Sequence, residues 1–141
     1  MKKSLILLLL SVGTLLTINI AAQKVENIDT KAFKEKIFNY DTLKVWNYYG
    51  NKPAIVDFYA DWCGPCKRLS PILEEIQQEL GSKIQVYKVN TDKERELAHV
   101  FNVRSIPLML FIPKDKEPFL VSGLRPKEQL LALIKEHFDI Q

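Results

Sequence analysis

The sequence is short of the residues that build metal centres. Its 141 residues include two cysteines and two histidines. His99 and His137 stand neither as a pair nor at ligand spacing from Cys63 and Cys66, whereas closed zinc sites take four such ligands at characteristic intervals. No metal is therefore implied. An excess of charge is also missing: 20 Lys and Arg face 17 Asp and Glu. Removing Lys2 and Lys3, which lie in a segment expected to be cleaved, leaves 18 basic against 17 acidic residues. Without a basic run, neither nucleic acid nor an anionic surface is indicated as a partner. There is no internal repeat and no low-complexity tract. No flavin or nicotinamide motif is present, and no cofactor is implied.

What is present reads as one soluble α/β domain behind an export signal. Hydrophobic residues make up 47% and charged residues 26%, the balance of a globular domain that folds without a staple. Residues 1–22 differ from the rest. Met1, Lys2 and Lys3 give a positive start, residues 5–16 are almost wholly apolar, and Ala21-Ala22 supplies small residues before Gln23. This is the pattern of a secretory signal peptide. The apolar stretch is short of the ~20 residues of a spanning helix, and Thr14, Thr17 and Asn19 dilute it. The domain plan is a signal over 1–22, cleaved after Ala22, and a mature domain over 23–141. The alternative is an uncleaved membrane anchor, and the absence of a cysteine near the cleavage site argues against a lipoprotein. Export leads to compartments where disulfides form and persist.

Periodicity then lays out the mature chain. Residues 23–26 read as loose. Ile28, Phe33, Ile37 and Phe38 suggest a short helix, with Asp29 or Thr30 as its cap. Residues 39–52 form an aromatic-containing connection ending in a Gly50-Asn51 turn signal. Ala54–Tyr59 is a nearly continuous apolar run, as in a buried central strand. Leu69, Ile72, Leu73, Ile76 and Leu80 then repeat at helical spacing until Gly81. Residues 84–89 alternate as a strand, and Thr91-x-x-Glu94 has the form of a capping box opening a helix. Leu108–Ile112 and Phe119–Ser122 read as strands about a charged turn. Pro126 suits the first position of a closing helix through Leu130, Leu131 and Ile134. The early strands are expected to be parallel and the late pair antiparallel.

Trp62-Cys63-Gly64-Pro65-Cys66-Lys67 falls at the junction of a predicted strand and a predicted helix. Only a thiolate attacks a disulfide, and an ordinary cysteine, with a pKa of ~8.5, is mostly protonated at neutral pH. A helix N-terminus, with its unpaired N–H groups and positive dipole end, favours the anion. The second thiol, three residues on, is placed to resolve a mixed disulfide. Gly64 allows a partner chain to approach, and Pro65 lacks an N–H that the first helical turn would leave unpaired. A purely structural disulfide is the competing reading, but a loop this short yields only ~2 kcal/mol against ~4.7 for a 100-residue loop. Redox chemistry is the better account.

AIVDFYADWCGPCK, from Ala54 to Lys67, resembles the active-site block of the thioredoxins. The resemblance extends over the mature chain. Pro71 stands where the family has a kink-forming proline, Ser105-Ile106-Pro107 matches its cis-proline loop, and Gly123 matches the glycine bordering its substrate groove. The interval from Cys63 to Pro107 is that of a compact member. Departures are the long connection over residues 39–52, Leu108 in place of the common threonine, and a Lys114-Asp115-Lys116 turn without glycine.

The resemblance implies a thioredoxin fold, a central mixed sheet flanked by helices, and dithiol–disulfide exchange through Cys63 and Cys66. It implies that Asp57 is a carboxylate buried behind the cysteines that handles the proton of Cys66, where the residues alone allow a solvated strand position. A buried carboxylate has a raised pKa, which suits a general base near neutrality. Lys88 matches the family lysine that approaches this carboxylate, the alternative being a solvated strand residue. Trp62 is expected as groove wall rather than core. Ile106 would offer its backbone to an extended substrate beside a cis Pro107. Gly64, Pro65 and Gly123 complete the expected substrate-binding set. His99 reads as a surface helix residue.

The resulting expectation is a monomeric, exported reductase of protein disulfides, periplasmic or else anchored to the inner membrane facing the periplasm. Its Gly64-Pro65 dipeptide is that of the reducing family members, and its electrons would come from a membrane donor protein. A non-catalytic binding module using the same groove is the rival. N-terminal sequencing of the mature protein is expected to begin at or close to Gln23. A mature cytoplasmic protein still starting at Met1 would refute both signal and compartment.

Overall fold

Five consecutive buried residues in Ala54–Tyr59 require a strand covered on both faces. In the computed structural model, which describes residues 23–140, this strand (β2) is the centre of a five-stranded sheet ordered β1-β3-β2-β4-β5. The others are β1 (Glu26–Asn27), β3 (Gln85–Asn90), β4 (Leu108–Ile112) and β5 (Phe119–Ser122). β1 and β2 run parallel to β3, while β4 is antiparallel to both β2 and β5. Helices α1 (Thr30–Lys36), α2 (Gly64–Leu80), α3 (Arg95–Val100) and α4 (Lys127–His137) flank it. This is the expected thioredoxin fold.

Strand alternation divides the core. Ala54, Val56 and Phe58 pack with Phe33, Ile37 and Leu97, the layer of α1 and α3. Ile55 packs with Leu69, Leu73, Ile76, Leu130 and Ile134, the layer of α2 and α4. Asp57 follows the parity of Ile55 and so turns towards the α2 side.

α2 begins with Cys63 as N-cap and stops at Gly81, whose φ of +53° an L side chain would strain. Gln77 secures the turn that follows. Its amide donates to the carbonyls of Gly81 (3.0 Å) and Ile84 (3.2 Å), and its oxygen accepts the N–H of Val86 at 2.6 Å. Asp29 caps α1 by accepting from the N–H of Ala32.

Several local expectations are corrected. Residues 23–26 are not simply loose, because Glu26 and Asn27 pair with Tyr87 and Lys88. The capping box does not form. Glu94 itself is the N-cap of α3, without a side-chain cap, because its carboxylate accepts the N–H and hydroxyl of Thr30 at 2.9 and 2.7 Å. Thr91 instead donates to the Tyr59 carbonyl. Pro126 sits one residue outside α4, as its N-cap. Pro71 lies inside α2.

The connection over residues 39–52 is packed down on the α1 side. Phe38 and Trp46 meet at 4.8 Å between ring centres, and the Tyr49 N–H bonds the Ile37 carbonyl. Tyr48 folds its hydroxyl onto the carbonyl of Lys52 and passes so close to Gly50 that a Cβ there would lie 2.1 Å from the phenol oxygen. Gly50 is a close-approach glycine.

Removing the three bonds of Gln77 at nearly constant volume, as Gln77→Met, strands a buried N–H and two carbonyls. Denaturant unfolding is expected to show a loss of about 2–4 kcal/mol. A loss below ~1 kcal/mol would mean that the turn after α2 finds other partners.

Candidate active site

The fold brings three loops to the C-terminal end of β2. Beyond Tyr59 the chain turns, with the Cys63 N–H bonding the Ala60 carbonyl at 3.2 Å, and enters α2. Cys63 has extended backbone (φ −79°, ψ 108°) while its sulfur accepts the N–H of Cys66 at 3.2 Å. A helix N–H thus aims at the first sulfur, the arrangement that stabilises a thiolate. The two cysteines are joined as a disulfide, the oxidised form, and are 3% and 2% exposed. Residue Lys67 repeats the bonding one turn on, donating its N–H to the Cys63 carbonyl.

The loop before β4 reaches the same place because Leu108 pairs with Phe58. Its Ile106–Pro107 bond is cis, and the Ile106 carbonyl oxygen lies 3.8 Å from the Cys63 sulfur. Between them runs an open groove of about 390 Å³ lined by Trp62, Cys63, Gly64, Pro65, Arg104 and Ile106, among others. Pro107 lies buried at its edge. Gly123, at φ +83°, donates its N–H to the Pro107 carbonyl and supports the loop from β5. Neither is among the residues that line the groove. Trp62 is 70% exposed and held by its indole N–H, which donates to Asp92 at 2.9 Å. It is a wall and not core. His99 is exposed on α3.

Asp57 is fully buried, and neither carboxylate oxygen has a hydrogen-bond partner. Burial raises its pKa from 3.8 to about 7, the Lys88 ammonium pulling it back in part. Lys88 is its register partner on β3. The lysine does not bond to it, however. Its Nζ donates to the Ser70 hydroxyl at 2.6 Å and stands 4.4 Å over the ring of Tyr59. Tyr59, Cys66, Ser70 and Lys88 line a second, smaller opening of about 250 Å³ behind the disulfide. The sequence reading named neither Ser70 nor Asp92. Ser70 stands four residues after Cys66, on the same face of α2, and that spacing is the one signal by which the sequence could have shown it. Asp92 had no comparable signal.

The family model described as Thioredoxin matches residues 24–136. The chain belongs to the thioredoxin family. It is 43% identical over 106 residues to the thioredoxin of Borreliella burgdorferi, covering 75% of this chain and 91% of that protein. With the thioredoxin of Bacillus subtilis it shares 44% identity over 85 residues, 60% of this chain and 81% of the other. The structure of chloroplastic thioredoxin z superposes with a TM-score of 0.68 at 28% identity, covering 80% of this chain and 93% of that one. Together with the Cys63–Cys66 pair these identify a thioredoxin-type protein disulfide oxidoreductase.

The buried acid makes stability depend on pH in a definite direction. Its folded pKa is raised, so its contribution is complete below the unfolded value near 3.8 and is lost as pH rises through about 7. In the oxidised protein neither cysteine titrates. Asp57→Asn is expected to match the parent near pH 4 and to exceed it increasingly up to pH 8, by on the order of 4 kcal/mol at most. Parallel pH profiles in denaturant unfolding would show that Asp57 is not the strained group.

Proposed function

We propose that this protein is an exported reductase of protein disulfides, working by two successive exchanges in the groove between Trp62 and Ile106. The observation that carries the reading is the Cys63 sulfur at the N-cap of α2, accepting a helix N–H beside an open groove. The Cys63 thiolate attacks one sulfur of a substrate disulfide. The S–S bond breaks, one substrate thiolate leaves, and a mixed disulfide forms. Asp57 takes the proton of the Cys66 thiol, and the Cys66 thiolate attacks the Cys63 sulfur. The second substrate thiolate departs, and the two electrons of the dithiol have passed to the substrate, leaving the Cys63–Cys66 disulfide.

The Ile106 carbonyl, beside Cys63 in the groove lining, supports strand-like pairing with an extended substrate segment. Raising the Asp57 pKa to about 7 supports its role as the base, since a group poised near the working pH accepts a proton most usefully. Lys88, its register partner, assists by charge alone. The periplasmic setting rests on the signal pattern of residues 1–22, which lie outside the described residues, with anchoring in the inner membrane as the alternative. The reducing direction rests on the Gly64-Pro65 dipeptide. Reducing members of the family lie near about −270 mV, far below the ~−120 mV of the periplasmic oxidant. Re-reduction is assigned to a membrane electron-donor protein, and the working unit to a monomer.

Cys66→Ser is expected to accumulate mixed disulfides with substrates, and Cys63→Ser to accumulate none. Trapping through Cys66 alone would reverse the assignment. In the same preparations the parent protein should reduce insulin catalytically with a chemical reductant as donor, which a binding module would not do. Asp57→Asn should slow that reaction most steeply below neutral pH. An unchanged rate from pH 6 to 9 would remove the base role.

A further inference from the structure

A lysine directly beside a buried, unpartnered carboxylate is expected to fold onto it. Asp57 and Lys88 are register partners on adjacent parallel strands, so their side chains leave one face of the sheet roughly 5 Å apart. The four-carbon stem of Lys88 is long enough to close that gap. Contact would give Asp57 the partner that both its oxygens lack. The ammonium nevertheless points towards α2, where it donates to the Ser70 hydroxyl at 2.6 Å, with the Tyr59 ring 4.4 Å beneath it. Ser70 in turn lies 3.5 Å from a carboxylate oxygen of Glu74, to which its hydroxyl proton is donated. That leaves the oxygen lone pairs for Lys88.

We propose that Ser70 is a positioning residue that holds the Lys88 ammonium off Asp57, keeping the carboxylate unpaired. The proposal rests on the reading of Asp57 as the proton acceptor for Cys66, and it names what keeps that acceptor usable. An ammonium in direct contact would hold Asp57 ionised far into the acid range, leaving a base too weak to take a thiol proton. An ammonium held at a distance still attracts the charge when it forms, without fixing it in a pair.

The contacts that β4, β5 and α4 make on this side of the sheet are apolar. β4 and β5 present Met109 and Val121, neither of which titrates. α4 gives this side Leu130 and Ile134. Among the described residues, Lys67 and Asp61 also line the small opening, and Glu74 acts through Ser70. Cys66 completes the lining from α2.

The test reads the Asp57 carboxyl directly, by ¹³C NMR titration of the oxidised protein, alongside insulin reduction across pH. Ser70→Ala, which suits a helix interior, is expected to lower the Asp57 midpoint by about one unit or more, a tenfold change in ionisation. The acid limb of turnover should move with it. Ser70→Thr keeps the hydroxyl and should restore the parent midpoint. In a Lys88→Met background, Ser70→Ala should move the midpoint no further. An Asp57 midpoint unmoved by Ser70→Ala overturns the proposal, as does an equal shift when Lys88 is absent. Neither outcome depends on the activity of Asp57→Asn, so failure of the base role is seen separately.

Discussion

Strand β2 is the constraint on which the site depends. It is buried on both faces and bonded along both edges, to β3 and to β4. The direction and depth of its C-terminal end are therefore fixed by the whole sheet. One register pair, Phe58 with Leu108, brings the cis-proline loop beside the turn that starts α2. The pair Asp57 with Lys88 sets the acid next to its cation. A slip of one residue would turn Asp57 into the layer of Phe33 and Leu97 and carry Ile55 out of the other. The chemistry at Cys63 thus depends on hydrophobic pairing several residues upstream.

The first turn of α2 converts that position into reactivity. Free N–H groups at a helix start must find acceptors, and here one of them finds the Cys63 sulfur. Pro65 removes another from the requirement, since it has none to donate. Gln77, at the far end, ties the helix to the head of β3 and stops it from shifting along its axis. The two ends serve different purposes with the same resource, unsatisfied backbone groups met by particular atoms.

Features of strong period were legible in the sequence. β2, β4 and β5 were read with the observed bounds, and α2 up to its terminating glycine, because each is an apolar pattern bounded by turn or charged residues. What escaped was set by partners distant in sequence. β1 has two residues and exists only because β3 offers an edge to Glu26 and Asn27. Glu94 has the right spacing for a capping box, but Thr30, 64 residues away, offers its carboxylate two donors. The identities of Cys63, Cys66 and Asp57 were carried by the motif. The direction taken by the Lys88 side chain was not, because a strand pattern gives a face and not a rotamer.

That direction matters most in the reduced protein. On the proposed mechanism two groups then exchange one proton, the carboxylate of Asp57 and the thiol of Cys66. Groups that exchange a proton directly titrate as a pair, with apparent pKa values belonging to both. On the proposed role of Asp57, the useful state holds one negative charge between them, and the proton must change sides as Cys66 attacks. A cation bonded to the carboxylate would fix the charge there and oppose the transfer. Lys88, bonded to Ser70 and lining the same opening as Cys66, favours one charge in the pocket whichever atom carries it. Burial makes that charge costly enough to be mobile, and the lysine keeps the cost low enough for it to form.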